Sequence, residues 1–162
     1  MNRLLLSIVL LLPLAAVSFV ATAAPLATGA TLQPFTIDDQ HGKPGQVDEL
    51  TRVLMFSRDM TANKLAKAAF GAKPAPYLDE AHAMYLIDVS GMPKFVTNTF
   101  AIPKMQKYVY RIFLDRDATK TTALPSQKKL VTVVHLDHLK VTSIEYAGSA
   151  DALARAVQAG TK

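Results

Sequence analysis

The pattern of apolar and polar positions sets the start of the chain apart from the rest. Residues 4–20 are almost all apolar and follow the positive charge of Arg3, and small residues occupy positions 21–23. This order is typical of a secretory signal peptide, and it predicts cleavage before Ala24. A membrane anchor that is not cleaved is the alternative, because the apolar run is just long enough to span a bilayer.

Downstream of this leader, the pattern changes to that of a single α/β domain. We expect residues 24–31, which are mostly small, to form a linker, and residues 32–162 to form the domain. The segments 52–57 and 83–89 are nearly continuous apolar runs, as expected of strands buried on both faces.

The remaining elements follow from periodicity and from turn residues. A hairpin is predicted around the turn residues 38–45. Strands are predicted at 109–114, 130–136 and 139–146, with a tight turn at Asp137 and His138. Helices are predicted after Ser57 or Asp59, after Pro93 as far as the residue before Pro103, and after Ser149, with a short helical turn at 76–81. The order predicts a mixed sheet flanked by helices on both faces.

Composition narrows the chemistry. The chain contains no cysteine, which excludes disulfides, thiol redox catalysis and cysteine metal ligands. The net charge of +5 is mild, and the sequence contains no dense run of basic residues. We therefore expect no nucleic-acid partner. No two glycines have the G-x-G spacing of a dinucleotide-binding loop, no G-x-S-x-G hydrolase motif occurs, and we expect no cofactor.

The order of elements resembles the thioredoxin-like fold, in the branch of peroxiredoxins and periplasmic thiol-disulfide oxidoreductases. Four segments carry the resemblance, namely LQPFTID at 32–38, VLMFS at 53–57, YRIFLDRD at 110–117 and LVTVVHLDHLKVTSIEYAG at 130–148. The resemblance implies a reactive cysteine in the loop after VLMFS, and residues 57–64 contain none. It also implies a proline, usually cis, directly before the penultimate strand, whereas Gln127, Lys128 and Lys129 stand there and Pro125 comes too early. The fold is therefore expected without the activity.

The candidate binding residues lie where two predicted strands end and helices begin. Such edges of open α/β sheets favour ligands, and helix N-termini attract anions. The first group is Ser57, Arg58, Asp59 and Lys64, and the second is Asp88 and Ser90. The simpler interpretation is that Asp59 caps a helix and pairs with Arg58, and that the strand-to-helix turn after Asp88 needs Gly91 and a capping residue.

Two further sets of residues have weaker interpretations. His135 and His138 are too few to complete a zinc site, so we expect no specific metal. A basic stretch with interleaved tyrosines is either a surface for an acidic partner or a membrane, or a solvated face; it comprises Lys94, Lys104, Lys107, Arg111, Arg116, Lys120, Lys128 and Lys129.

The sequence predicts an exported, non-catalytic binding or adaptor domain of the bacterial periplasm, with an unknown protein or a small anion as its partner. A carrier or enzyme that binds a small anion or a cofactor at the candidate residues is one alternative. A membrane-tethered interaction protein with an uncleaved leader is the other.

Overall fold

The computed structural model describes residues 24–161, so the predicted signal peptide lies outside the described residues. The strands are β1 (Phe35–Asp38), β2 (Pro44–Val47), β3 (Val53–Ser57), β4 (Ala83–Asp88), β5 (Phe113–Asp115), β6 (Val131–Asp137) and β7 (Lys140–Ala147). The helices are α1 (Met60–Phe70), α2 (Tyr77–Glu80), α3 (Lys94–Val96), α4 (Ile102–Met105) and α5 (Ala150–Ala159), and a π-helical turn, Thr97–Ala101, joins α3 to α4.

Five strands form one mixed sheet in the order β5-β4-β3-β6-β7. β3, β4 and β5 run parallel, whereas β6 is antiparallel to β3 and β7 is antiparallel to β6. β1 and β2 form a separate antiparallel hairpin, which reaches the edge of the sheet through a bridge between Asp39 and Phe113. The predicted α/β class, the mixed sheet and the leading hairpin are confirmed.

The expectation of helices on both faces is wrong for the described residues. The buried residues of α1, α2, α4 and α5 all belong to one core, on the face of Met55 and Tyr85. The opposite face, with Leu54 and Phe56, is covered by the hairpin and by surrounding loops. The chain steps from β3 to β4 to β5 in one direction, and right-handed crossovers then place both connections on the same face.

The helix expected to stop before Pro103 continues past it. In the π-helical turn, the backbone N–H of Ile102 donates to the carbonyl of Thr97, five residues back. Pro103 then falls in the first turn of α4, where its missing N–H leaves no helical hydrogen bond broken. The wider turn thus lets the chain pass a residue that normally ends a helix.

The strand expected at 109–114 is shorter, because β5 begins only at Phe113. The Gln40 side chain takes the place of a neighbouring strand for the preceding residues. Its amide nitrogen donates to the carbonyl of Tyr110 (2.9 Å), and its amide oxygen accepts from the N–H of Ile112 (2.8 Å). These two hydrogen bonds satisfy buried backbone groups that have no neighbouring strand to pair with.

The hairpin that joins β6 to β7 turns one residue later than expected. His138 and Leu139, rather than Asp137 and His138, are the turn residues, with φ of 47° and 66°. Positive φ at both positions gives the twist that two-residue hairpins favour. The shift allows the side chain of Leu139 to be buried in the core under the hairpin.

Candidate functional site

Four of the six candidate residues line one cleft at the carboxyl ends of β3 and β4. The cleft has a volume of about 280 Å³, and its lining comprises Arg58, Asp59, Met60, Asn63, Ile87, Asp88, Ser90, Gly91 and Met92. Ser57 lies beneath it and is buried. Lys64 is exposed on α1 and is not part of the lining. The parallel pairing of β3 with β4 brings the two groups of candidates together.

Asp59 caps α1, as the simpler interpretation predicted. Its Oδ1 accepts a hydrogen bond from the N–H of Ala62 (2.9 Å), and its Oδ2 accepts one from the N–H of Lys129 (2.6 Å). Burial alone would raise the pKa of Asp59, but hydrogen bonds from Ala62, Lys129 and Thr61 outweigh it and hold the pKa below its ordinary value. A carboxylate of the protein itself therefore occupies this helix N-terminus.

Arg58 pairs with Asp88, and the expected pair with Asp59 is wrong. Arg58 Nε lies 3.3 Å from Asp88 Oδ2, and Arg58 also donates to the carbonyl of Thr121 (3.2 Å). The guanidinium lies over the ring of Phe56, 5.2 Å from its centroid. Ser57 and Ile87 are register partners, so the residues that follow them emerge side by side.

Asp88 also organises the turn that follows β4. Its Oδ1 accepts a hydrogen bond from the backbone N–H of Ser90 (2.9 Å), while its Oδ2 faces Arg58. Both oxygens of this carboxylate are thus occupied by protein groups. The turn resembles the Asx turns that aspartate forms with the backbone two residues further on.

Three oxygen atoms form a closed triangle beneath the cleft. Ser57 Oγ and Tyr85 Oη both donate to Asn63 Oδ1, at 2.8 and 2.6 Å, and the two hydroxyl oxygens lie 2.8 Å apart. Burial raises the pKa of Tyr85 far above its ordinary value, so the phenol stays protonated. The members are two hydroxyls and an amide, which tie α1 to β3 and β4 but offer no thiol and no base. Sequence reasoning found Ser57 and missed Asn63 and Tyr85.

The segment before β6 contains Lys129 at the position where the resemblance implies a proline. Lys129, which stands near the expected proline position, has a φ of 66° and donates its N–H to Asp59. Pro125 instead accepts a hydrogen bond at its carbonyl from Thr132 Oγ1 (2.7 Å). Residues 24–161 contain no cis peptide bond.

An exposed aromatic pair lies on the helical segment that follows β4. Phe95 and Phe100 are 71% and 62% exposed, and their rings meet edge to face with centroids 6.0 Å apart. A second cleft of about 300 Å³ includes Lys94 and shares Ser90 and Met92 with the first. We call this pair the Phe95–Phe100 surface. Sequence reasoning took the segment for an ordinary helix, although its two phenylalanines lie among lysines.

Two of the four histidines, His135 and His138, each form an isolated pair with a carboxylate. His135 Nε2 lies 2.7 Å from Glu145 Oε1, and His138 Nδ1 lies 2.8 Å from Asp137 Oδ1. No group of three or more metal-binding side chains occurs in the part of the chain that the structure describes.

Comparisons with known proteins support the fold. No protein-family model matches the sequence, and no curated protein matches it. Solved structures do match. One is the peroxidoxin BcpB from Mycobacterium tuberculosis, with a TM-score of 0.55 and 19% identity over 83% of this chain and 95% of that one. Another is the thioredoxin domain of a thiol-disulfide oxidoreductase from Bacteroides vulgatus, with a TM-score of 0.54 and 14% identity over 85% and 99%. A thiol:disulfide interchange protein from Bacteroides sp. gives 0.50 and 13% over 83% and 90%.

The chain therefore has a thioredoxin-like fold, in the form shared by these peroxiredoxin and thiol-disulfide oxidoreductase structures, and its sequence contains no cysteine. At these identities the likeness establishes the fold alone. Between residues 24 and 161, no helix is both long and apolar enough to cross a membrane.

Proposed function

We propose that this protein is an exported, non-catalytic thioredoxin-like domain that binds a protein partner. The observation that carries the proposal is the closed triangle of Ser57, Asn63 and Tyr85, at the corner where the thioredoxin-like resemblance implies a reactive cysteine. Both hydroxyls donate to the same acceptor, Asn63 Oδ1, and no base lies within this triangle to activate them. The corner thus serves to hold α1 in place.

The alternative of an anion bound by Arg58 and the N-terminus of α1 has less support. The N-terminus of α1 already accepts the Asp59 carboxylate, and Arg58 is neutralised by Asp88 at 3.3 Å. An incoming anion would have to displace a carboxylate whose geometry is already good, and the exchange would gain little free energy.

The Phe95–Phe100 surface offers a better binding region. Two exposed aromatic rings in contact are the kind of anchor that dominates protein interfaces. No acidic residue occurs between Asp88 and Asp115, and that interval contains Lys94, Lys104 and Lys107. We therefore propose a partner segment that has an apolar anchor flanked by acidic side chains.

Photocrosslinking tests this proposal. The full chain is expressed in its source organism with a benzoylphenylalanine at position 100, and in parallel at Leu50. Leu50 is a matched control, because it is 68% exposed and precedes β3 at the opposite end of the parallel strands. We expect one discrete protein adduct from position 100 and none from position 50. Adducts that are absent from position 100, or equal at both positions, would contradict the proposal.

Export is tested on the same cells. We propose that the leader is cleaved before Ala24, which leaves a free periplasmic protein. Periplasmic extraction followed by intact-mass measurement should give a chain that starts at Ala24. A membrane-bound product that retains residues 1–23 would instead support the tethered alternative.

A further inference from the structure

The hydroxyl of Tyr110 is a buried polar group that takes no part in the fold contacts or the candidate site described above. The hydroxyl of Tyr110 is completely buried, and it finds no hydrogen-bond partner among residues 24–161. A buried hydroxyl without a partner costs on the order of 1–3 kcal/mol. The ring itself is firmly held, since it meets Phe70 edge to face at 5.9 Å and stacks on Tyr108 at 5.6 Å.

Tyr110 lines a small inner cavity between α1 and α4. The cavity is enclosed mainly by apolar and aromatic side chains, and its only charged lining residue is Lys104; its lining comprises Met60, Asn63, Tyr85, Ile87, Ala101, Lys104, Met105, Tyr108, Tyr110 and Ile112. Its volume is about 30 Å³, which is enough to admit at least one water molecule. Ala101, at the end of the π-helical turn, forms part of its wall.

The inner cavity adjoins the cleft at the ends of β3 and β4. Met60, Asn63 and Ile87 line both, so these side chains form the partition between them. Met60 is more than half exposed, and an unbranched thioether side chain changes rotamer readily. Movement of Met60 would connect the inner cavity with the 280 Å³ cleft.

We propose that the inner cavity and the cleft form one binding site for a short-chain monocarboxylate. The carboxylate accepts a hydrogen bond from Tyr110 and faces the ammonium group of Lys104, while the aliphatic chain lies along Met60. One hydroxyl donor and one cation match a single negative charge, whereas a phosphate dianion would be left undercompensated in an apolar cavity.

The protonation state of Tyr110 agrees with this role. Burial raises the pKa of Tyr110 far above its ordinary value, so the phenol keeps its proton at neutral pH and acts as a donor. The site is separate from the Phe95–Phe100 surface, and neither Phe95 nor Phe100 lines it. A failure here would leave the crosslinking result unaffected, and the reverse also holds.

Hexanoate is a suitable probe, and hexanamide is its neutral counterpart of equal length. Both are titrated by calorimetry into the protein expressed from the full chain, at low salt. The variants are Tyr110→Phe, which removes only the hydroxyl, and Lys104→Gln. Lys107→Gln is the matched control, because Lys107 is an exposed lysine nearby that does not line the cavity.

We expect saturable binding of hexanoate that Tyr110→Phe and Lys104→Gln each weaken by about tenfold or more, as expected for the loss of a charge-assisted contact. Lys107→Gln should bind as the parent protein does, and hexanamide should bind about tenfold more weakly than hexanoate. Absence of saturable binding would mean that the cavity holds water only and would overturn the proposal. Equal affinities for Tyr110→Phe and Lys107→Gln would also overturn it.

Discussion

Asp59 Oδ2 accepts a hydrogen bond of 2.6 Å from the backbone N–H of Lys129, a residue that lies 70 positions further along the chain. The same carboxylate caps α1 through the N–H of Ala62. One side chain thus fixes the start of α1 to the loop that enters β6. In this protein, that contact joins the loop after β3 to the segment before β6.

The two hydrogen bonds of Asp59 can be separated by substitution. Asp59→Asn keeps an oxygen for the cap but presents an amide in place of one carboxylate oxygen, so it should lose the bond to Lys129 and about 1 kcal/mol. Asp59→Ala should lose both bonds and about 2 kcal/mol. Urea denaturation measures both values. Ser149→Ala, which removes only the cap of α5, is the control and should cost about 1 kcal/mol. Equal losses for Asn and Ala at position 59 would mean that only one of the bonds matters.

Arg111 and Asp39 form the ion pair that docks the leading hairpin on β5. Arg111 Nε lies 2.9 Å from Asp39 Oδ2, and the Asp39 side chain is almost fully buried. Arg111→Met should lower the free energy of unfolding by about 2 kcal/mol, because it leaves a buried carboxylate with one donor fewer. Arg52→Met removes the exposed pair with Asp137 and should change stability by less than about 0.5 kcal/mol. A similar small effect at both sites, in chemical denaturation, would show that the buried pair contributes no more than the exposed one.

Acid should destabilise the protein through two carboxylates. Burial tends to raise the pKa of Asp39, but hydrogen bonds from Lys43, Arg111 and His41 outweigh it, and the pKa lies below its ordinary value of 3.8. The pKa of Asp59 is also lowered from 3.8. Groups whose pKa is lower in the folded state stabilise it above pH 3.8, and this contribution is lost as the pH falls through the folded-state values.

We therefore expect unfolding free energies measured from pH 6 to pH 2 to fall mainly below pH 4. Asp39→Asn should show a shallower dependence in that range, since it removes one of the titrating groups. An unchanged slope in this variant would assign the acid sensitivity to other groups.

Two glycines provide a test of how the hairpin packs. A Cβ at Gly45 in β2 would overlap the ring of Phe113, whereas a Cβ at Gly91 would meet nothing within 4 Å. The expectation that the turn after β4 requires glycine is wrong, because Gly91 has ordinary backbone angles and open space around it. Gly45→Ala should cost about 1–3 kcal/mol by displacing Phe113, and Gly91→Ala should stay within about 0.5 kcal/mol. Thermal denaturation of the two variants checks this. Equal midpoints would show that the Phe113 ring moves aside at little cost in free energy.

The sequence predicts the elements that depend on local pattern. The apolar runs at β3 and β4 and the capping residues Asp59 and Ser149 all specify structure through their near neighbours. The errors arise where a distant group decides. Gln40 supplies the hydrogen bonds that the segment before Phe113 would otherwise take from a strand. The sequence around that segment does not predict this contact, because Gln40 is distant along the chain.

The candidate cleft was only partly predictable for the same reason. Arg58 and Asp59 are adjacent in sequence, so a local ion pair was the natural expectation. The strand register instead presents Asp88 to Arg58, while backbone groups occupy Asp59. The hydroxyl of Tyr110 could not be predicted to lack a partner, because the hydrogen bonding of a buried polar group depends on every element packed around it.

Tyr85 and Tyr110 are both buried tyrosines, and they should respond in opposite ways to loss of the hydroxyl. Tyr85 Oη donates to Asn63 and lies 2.8 Å from Ser57 Oγ, so Tyr85→Phe leaves buried polar groups with fewer partners and should cost about 1–3 kcal/mol. Tyr110→Phe removes a hydroxyl that has no partner within residues 24–161, so stability should be unchanged or should rise by about 1 kcal/mol. Both substitutions keep the aromatic ring, and packing is therefore matched. Chemical denaturation without any added ligand measures the difference. A loss at Tyr110 as large as that at Tyr85 would mean that its hydroxyl is satisfied in solution, for instance by a bound water molecule.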